Sequence, residues 1–77
     1  MTLEDLPRCV LQRIEKAAIE GWQIKRRHGL YNQILAVKPN AVPFVILNEN
    51  YPIRCHRELL PVIKAEVARL RGKRYVN

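Results

Sequence analysis

The sequence predicts an α+β domain of two layers, in which a three-stranded antiparallel sheet carries both helices on one face in the order α-β-β-β-α. Apolar residues recur at three- and four-residue steps near both ends of the chain, as in amphipathic helices. Between them lie short apolar or alternating runs separated by glycine and proline, as in strands joined by turns. The 77 residues have room for one hydrophobic core. Two helices and one small sheet can share that core only from the same side of the sheet, so we expect residues 1–77 to be a single domain.

The first predicted element is a helix over residues 4–20. Its apolar stripe consists of Leu6, Val10, Ile14 and Ala17. Pro7 is tolerated only in the first helical turn, where its missing N–H has no partner in any case. Thr2 and Asp5 have the spacing of a capping pair. Gly21 is expected to end the helix in a left-handed conformation.

The middle of the chain predicts three strands. Residues 22–28 alternate between apolar and polar side chains, and residues 30–38 form a second strand. The continuous apolar run at residues 44–47 favours a strand that is central or covered on both faces. Residues 51–55 could add a short fourth strand, which Pro52 would restrict to an edge of the sheet.

The last predicted element is a helix whose start is set by a proline. Its apolar stripe consists of Leu59, Ile63, Val67 and Leu70. Because Pro61 removes a hydrogen bond inside a helix and clashes one turn earlier, the regular helix is expected to begin near Leu60, with residues 56–59 as a preceding turn. Gly72 is expected to end it.

The charge of the chain is high and unevenly distributed. The formal net charge is +7. Residues 1–20 hold three basic and four acidic residues, whereas residues 21–77 hold eleven basic and three acidic ones. A field of this sign attracts polyanions and speeds their encounter with the protein. The composition therefore predicts an acidic or polyanionic partner.

Basic residues cluster at three places in the sequence. The densest cluster is Lys25, Arg26, Arg27 and His28, and the second is Arg54, His56 and Arg57 at the entry to the last helix. Both are candidate contacts for phosphates, with free N–H groups at the helix start adding to an anion site. Tyr31, with Asn32 and Gln33, could supply base contacts. The third cluster is Arg69, Arg71, Lys73 and Arg74, which we expect to be a solvated face that complements the helix dipole.

Other kinds of site are not indicated by the sequence. Cys9 and Cys55 are expected to be free, partly buried thiols of a reducing compartment. Cys55 and His56 are adjacent, which does not match the paired spacing of zinc ligands, so no metal and no cofactor is expected. No residue set provides a nucleophile with an oriented base, so we expect no enzyme. The chain starts without a signal peptide and its apolar runs are too short to cross a bilayer, so we expect a cytoplasmic protein without a membrane partner.

The predicted order of elements resembles the double-stranded-RNA-binding-domain-like fold, which includes the HicA type of toxin. The likeness is strongest over residues 14–38, where a helix is followed by Gly21 and Trp22, a strand carrying Arg26, and Gly29 at the turn. HicA-type toxins carry a catalytic histidine just after that glycine. This chain has Leu30, Tyr31 and Asn32 there instead. No catalytic residue is therefore carried over from the resemblance. At the second helix, where double-stranded-RNA-binding domains carry a lysine-rich motif, this chain has Arg54, His56 and Arg57.

Three functions follow as hypotheses. The first is a non-enzymatic protein whose basic surface contacts RNA or DNA. The second is a small inhibitor or adaptor, of the sort phages make, that docks on an acidic or nucleic-acid-handling host protein complex. The third is a HicA-like ribonuclease, which would depend on His28 or His56 as general acid or base. An edge strand of so small a sheet could also pair with a second copy of the chain.

Overall fold

The computed structural model describes residues 1–29 and 31–75. Leu30, predicted to begin the second strand, and the last two residues of the chain lie outside the described residues. The elements are a turn of 3-10 helix at Leu3–Asp5, α1 at Arg8–Glu20, β1 at Gln23–Arg27, β2 at Gln33–Val37, β3 at Phe44–Leu47 and α2 at Ile53–Tyr75. The three antiparallel strands lie in the order β1-β2-β3. The shortest dimension of the molecule is 19 Å, which is the thickness of one layer of helices packed on one sheet. The predicted α+β class and α-β-β-β-α order, with both helices on one face, are confirmed.

The N-terminal helix begins later than predicted. The residue before a proline is driven towards extended conformations, and Leu6 accordingly has φ −89° and ψ 144°. Pro7 is therefore the residue that precedes α1, and it does not lie in the first turn. The capping pair is confirmed, but on the 3-10 turn: the Thr2 backbone N–H donates to Asp5 Oδ2 at 2.8 Å.

The C-terminal end of α1 follows the prediction. Gly21 has φ 78° and ψ 31°, in the left-handed region that glycine adopts without steric strain. The Trp22 N–H then donates to the Ala17 carbonyl at 2.9 Å. This turn sets the direction in which the chain enters β1.

The two faces of the sheet differ in character. On the face covered by the helices, Ile24 lies opposite Ala36, and Ile34 lies opposite Leu47, and all four are buried. On the other face no helix packs among the described residues. We call it the open face, and it is formed by Gln23, Lys25, Arg27, Gln33, Leu35, Val37 and Val45.

The third strand is an edge strand, and the prediction of a central or doubly covered one was wrong. A register shift between Ile34 and Leu35 leaves Ile46 without a directly opposite residue. A bulge of this kind turns consecutive side chains to one side, and Ile46 and Leu47 are both fully buried. The continuous apolar run therefore reflects a bulge at the edge, and not burial on both faces.

The last helix is longer than the sequence predicts. It runs through Pro61 and includes residues 53–55. The possible fourth strand at residues 51–55 is therefore not formed, and the predicted start of the helix near Leu60 was wrong. Pro61 is exposed, so the carbonyl of Arg57 that loses its hydrogen bond can be solvated. Gly72 does not end the helix, which continues to Tyr75.

Candidate nucleic-acid interface

The first strand presents two cations side by side on the open face. Successive residues of a strand point to opposite sides, so Lys25 and Arg27 project together, about 7 Å apart along the strand. Both are exposed. Their neighbours across the strand pair are Leu35 and Gln33 respectively. Of the first basic cluster, these two residues are therefore available to a ligand on the open face.

Arg26 projects to the opposite side of the sheet. It lies across from Ile34 on the helix-covered face and is half-buried. Its Nη2 donates to Asn32 Oδ1 at 3.4 Å, across the turn between the first two strands. Its Nε is buried without a partner. Arg26 thus helps to order the turn and is separated by the sheet from Lys25 and Arg27.

One end of the molecule collects most of the remaining predicted contacts. The pairing of Arg27 with Gln33 and of Ile34 with Leu47 places the end of β1, the start of β2 and the end of β3 together. The side-chain amide of Gln33 donates to Glu49 Oε2 at 2.9 Å, which ties the loop before α2 to the same end.

We call this region the cationic end and define it by Arg27, His28, Tyr31, Arg54 and Arg57. His28 and Tyr31 are exposed in the turn between β1 and β2, with 57% of the Tyr31 surface accessible. Arg54 and Arg57 are exposed in the first turns of α2. The topology therefore brings the first and second basic clusters to one end of the fold.

His56 is not part of this surface. It is fully buried, and its Nε2 lies 2.9 Å from the Asn48 carbonyl oxygen. Because a carbonyl only accepts hydrogen bonds, Nε2 carries the proton of this bond. Nδ1 is buried without a partner. The predicted role of His56 as a ligand contact is thus replaced by a structural one, in which it fastens the loop at residues 48–52 to α2.

The cations of this end are not neutralised by neighbouring acids. Within the described side chains, the two ion pairs are Arg69 with Glu66 at 2.6 Å and the N-terminal ammonium with Glu58 at 3.5 Å. Hydrogen bonding from Gln33 lowers the pKa of Glu49, so one carboxylate stays ionised beside the cationic end. No carboxylate lies within ion-pair distance of Lys25, Arg27, Arg54 or Arg57 in the described part of the chain, so these side chains are available to a partner.

The third basic cluster does not act as one group. Arg69 donates to Glu66, which lowers the pKa of that carboxyl. Lys73 is exposed, and the side chain of Arg74 lies outside the described residues. Arg71 reaches across to α1, where its Nε donates to the Ala18 carbonyl at 3.3 Å and its Nη2 donates to the Ala17 carbonyl at 3.2 Å and to the Trp22 carbonyl.

We call this arrangement the Arg71 clamp. It donates to carbonyls at the C-terminal end of α1, where the last carbonyls of a helix lack a full set of helical partners, and it places a cation at the negative end of that helix. Sequence reasoning assigned Arg71 to the dipole of its own helix. Nothing in the local sequence indicates a partner some fifty residues away.

Neither a metal centre nor a thiol pair is seen in the described part of the chain. Cys9 is exposed, contrary to the prediction of partial burial, and Cys55 is half-buried; both are free. No three histidine, cysteine or acidic side chains among the described residues come close enough to hold a metal ion.

Comparison with protein-family models, curated proteins and solved structures gives no significant match to this chain. None of the helices in residues 1–29 and 31–75 combines the length and apolar composition needed to cross a bilayer. The placement of charge and the exposed surfaces are therefore the features that bear on function.

Proposed function

We propose that this protein is a non-enzymatic binding protein that holds the phosphate backbone of a nucleic acid against its cationic end and the adjoining part of the open face. The observation that carries the proposal is the convergence of unpaired cations from two separate elements, β1 and the start of α2, at one end of the molecule. Neutralisation of phosphates by such cations releases condensed counterions, which favours binding.

Each group has a distinct part in the proposed complex. Lys25 and Arg27, on a rigid strand, would contact successive phosphates of one strand. Arg54 and Arg57 would hold the backbone from the helical layer, where unpaired N–H groups at the start of α2 favour negative charge. The exposed ring of Tyr31 offers a face on which an unpaired base can stack. These contacts give affinity without reading sequence.

The test is a salt series with matched charge reversals. Binding of a fluorescein-labelled RNA hairpin and a DNA duplex of equal length is measured by anisotropy between about 50 and 300 mM salt, where affinity depends steeply on salt if phosphates are neutralised. We expect Lys25→Glu and Arg27→Glu each to weaken binding about tenfold, and the slope of log K against log salt to become shallower by about one for each phosphate that is no longer neutralised. The control is Lys73→Glu, which changes the net charge equally at the other end of α2.

The control decides whether the cationic end is a site. If Lys73→Glu weakens binding as much as Arg27→Glu, binding follows net charge alone and the proposal fails. Absence of measurable binding to both nucleic acids at low salt would also refute it. Cleavage of the RNA that disappears with His28→Ala would favour the ribonuclease hypothesis instead.

A second candidate function, an adaptor or inhibitor that docks on an acidic protein surface, is favoured by the centre of the open face. Leu35, Val37 and Val45 lie there half-buried, and aliphatic side chains contribute little to contacts with phosphates. An apolar centre beside charged residues is the usual arrangement of a protein interface. Affinity capture from nuclease-treated lysate should recover one defined complex with the wild type and lose it with Leu35→Glu.

A further inference from the structure

A groove of about 400 Å³ lies between β1 and α2, on the side of the sheet away from β3. Its floor is apolar and includes the buried side chains of Ile24 and Val67. The residues that line it include the cations Lys25, Lys64 and Arg71, and none of them is acidic. The groove therefore combines an apolar base with a positive rim.

The Arg71 guanidinium is already held in place in this groove. Its Nε and Nη2 are engaged by carbonyls at the end of α1. Arg71 is half-buried and lines the groove, so part of its side chain is accessible there. Because the side chain is fixed before a ligand arrives, binding a carboxylate there costs little side-chain entropy.

The strand that borders the groove is an edge of the sheet. The order β1-β2-β3 leaves the outer side of β1 without a partner strand among the described residues. Alternate residues of such a strand turn their N–H and C=O groups outward. An extended segment can bind these groups as an added strand, and side-chain pockets beside the strand then give specificity.

We propose that the groove between β1 and α2 binds an extended acidic segment of a partner protein, which pairs with β1 as a fourth strand. Side chains of an added strand alternate between the two faces of the sheet. Carboxylates on the helix side would meet Lys64 and Arg71, and those on the open side would meet Lys25. Apolar residues between them would pack on Ile24 and Val67.

The charge of β1 argues against a second copy of this chain as the occupant. The strand Gln23–Arg27 contains three cations and no acid. Antiparallel pairing of two such strands would place like charges opposite one another, which is destabilising. An acidic strand converts the same positions into favourable cross-strand pairs. The groove shares Lys25 with the proposed nucleic-acid site, but its other cations, Lys64 and Arg71, lie outside the cationic end, and binding there does not depend on nucleic-acid binding.

The probe is a fluorescein-labelled peptide that repeats Glu-Glu-Val-Val, which places a glutamate and a valine on each face of an extended strand, used with the full-length protein at low salt. We expect saturable binding by anisotropy, with amide shifts in ¹H–¹⁵N spectra concentrated in β1 and in the turns of α2 around Lys64. A peptide with lysine in place of glutamate should not bind. A peptide N-methylated at alternate residues, on the edge that faces β1, should lose binding because its main-chain hydrogen bonds are blocked.

The decisive variant is Lys64→Glu, with Lys73→Glu as the control of equal charge on the same helix. Both positions are exposed, and thermal unfolding of each variant establishes that the fold is kept. Lys64→Glu should weaken peptide binding about tenfold and Lys73→Glu no more than about twofold, because only the first faces the added strand. Binding of the RNA hairpin should fall equally in both variants, which separates this site from the cationic end.

Four results would overturn the proposal: no saturable binding of the acidic peptide, equal weakening by both variants, undiminished binding of the N-methylated peptide, or sedimentation of the protein as a dimer that Lys25→Glu enhances. The last result would assign the edge to a second copy.

Discussion

Replacement of Arg71 by methionine tests whether the Arg71 clamp holds the C-terminal end of α1 to the rest of the fold. Methionine keeps an unbranched apolar stem, so packing by the stem of the arginine is largely preserved. The substitution removes the donation from Nε and Nη2 to the carbonyls of Ala17, Ala18 and Trp22. It also removes a cation from the negative end of α1.

The expected loss of stability follows from these hydrogen bonds. A hydrogen bond from a charged donor contributes about 1.5–3 kcal/mol. The three bonds do not add, because Arg71 is half-buried and the Ala17 carbonyl also accepts the Trp22 N–H at 2.9 Å. We therefore expect a loss of about 2–3 kcal/mol. For a domain of this size, whose free energy of unfolding is about 4–12 kcal/mol, that is a large fraction.

The assay is urea unfolding, supported by thermal unfolding, in which the loss corresponds to a Tm lower by about 10–20 °C. Arg69→Met is the control, since Arg69 makes an exposed pair with Glu66 one turn away on the same helix and exposed pairs contribute little to stability. The stability of Arg71→Lys should lie between those of the wild type and Arg71→Met, because lysine keeps the charge but lacks the planar guanidinium that donates to several carbonyls at once. If Arg71→Met is no more destabilising than Arg69→Met, the clamp does not stabilise the fold and the reasoning is refuted.

Three further outcomes are expected. Gly21→Ala should destabilise the protein by about 1–2 kcal/mol through backbone strain alone, because Gly21 has φ 78° and no atom obstructs a Cβ there. Gly72→Ala, inside α2, should stabilise it by about 0.5–1 kcal/mol. Urea unfolding of both variants tests these opposite signs. Donation from the Thr2 backbone lowers the pKa of Asp5 relative to its ordinary value. Asp5 therefore contributes stability above the pKa of the unfolded chain, and this contribution is lost as the pH falls through the lower pKa of the folded protein. In acid unfolding, an Asp5→Asn variant should show a smaller fall in stability than the wild type over that range. His56→Ala should cost about 2–4 kcal/mol through the cavity and the missing bond to the loop before α2, and equal stability of wild type and variant would contradict the structural role of the imidazole.

The hydrophobic periodicity of the sequence predicted the architecture because the helices and the first strand have clear patterns of apolar residues. The stripe of α1 and the alternation of β1 are local properties, and Gly21 is the residue type that its conformation requires. The errors fall where tertiary packing overrides local rules. Pro61 predicted a helix start, but the buried stripe on its two sides keeps one helix intact through it. The apolar run of β3 predicted a central strand, since a bulge cannot be inferred from a single strand without its partner.

The candidate site was predicted only in part, because exposure depends on the fold. The common side of Lys25 and Arg27 follows from strand alternation, and the same alternation places Arg26 on the opposite side. Arg54 and His56 are two residues apart on a helix, and only the packing of α2 decides that the first is exposed and the second fully buried. The Arg71 clamp joins residues distant in sequence, and no local pattern indicates it.

The net charge of +7 overstates what is available to one ligand, because the fold uses several cations internally. Arg71 binds carbonyls, Arg26 binds the turn, and the ammonium groups of Lys16 and Lys38 lie over the rings of Phe44 and Trp22 at 4.8 and 4.9 Å.

The remaining cations lie at separate places on the fold. Along α2, Arg54 and Lys73 are about 28 Å apart at 1.5 Å per residue, which exceeds the Debye length of about 8 Å at physiological salt. Charges at that distance do not act on the same phosphate or carboxylate. Binding at the cationic end and binding in the groove beside β1 should therefore each depend on the cations located there. A charge reversal elsewhere on the fold changes the net charge equally without removing a contact, so it is the matched control for both sites.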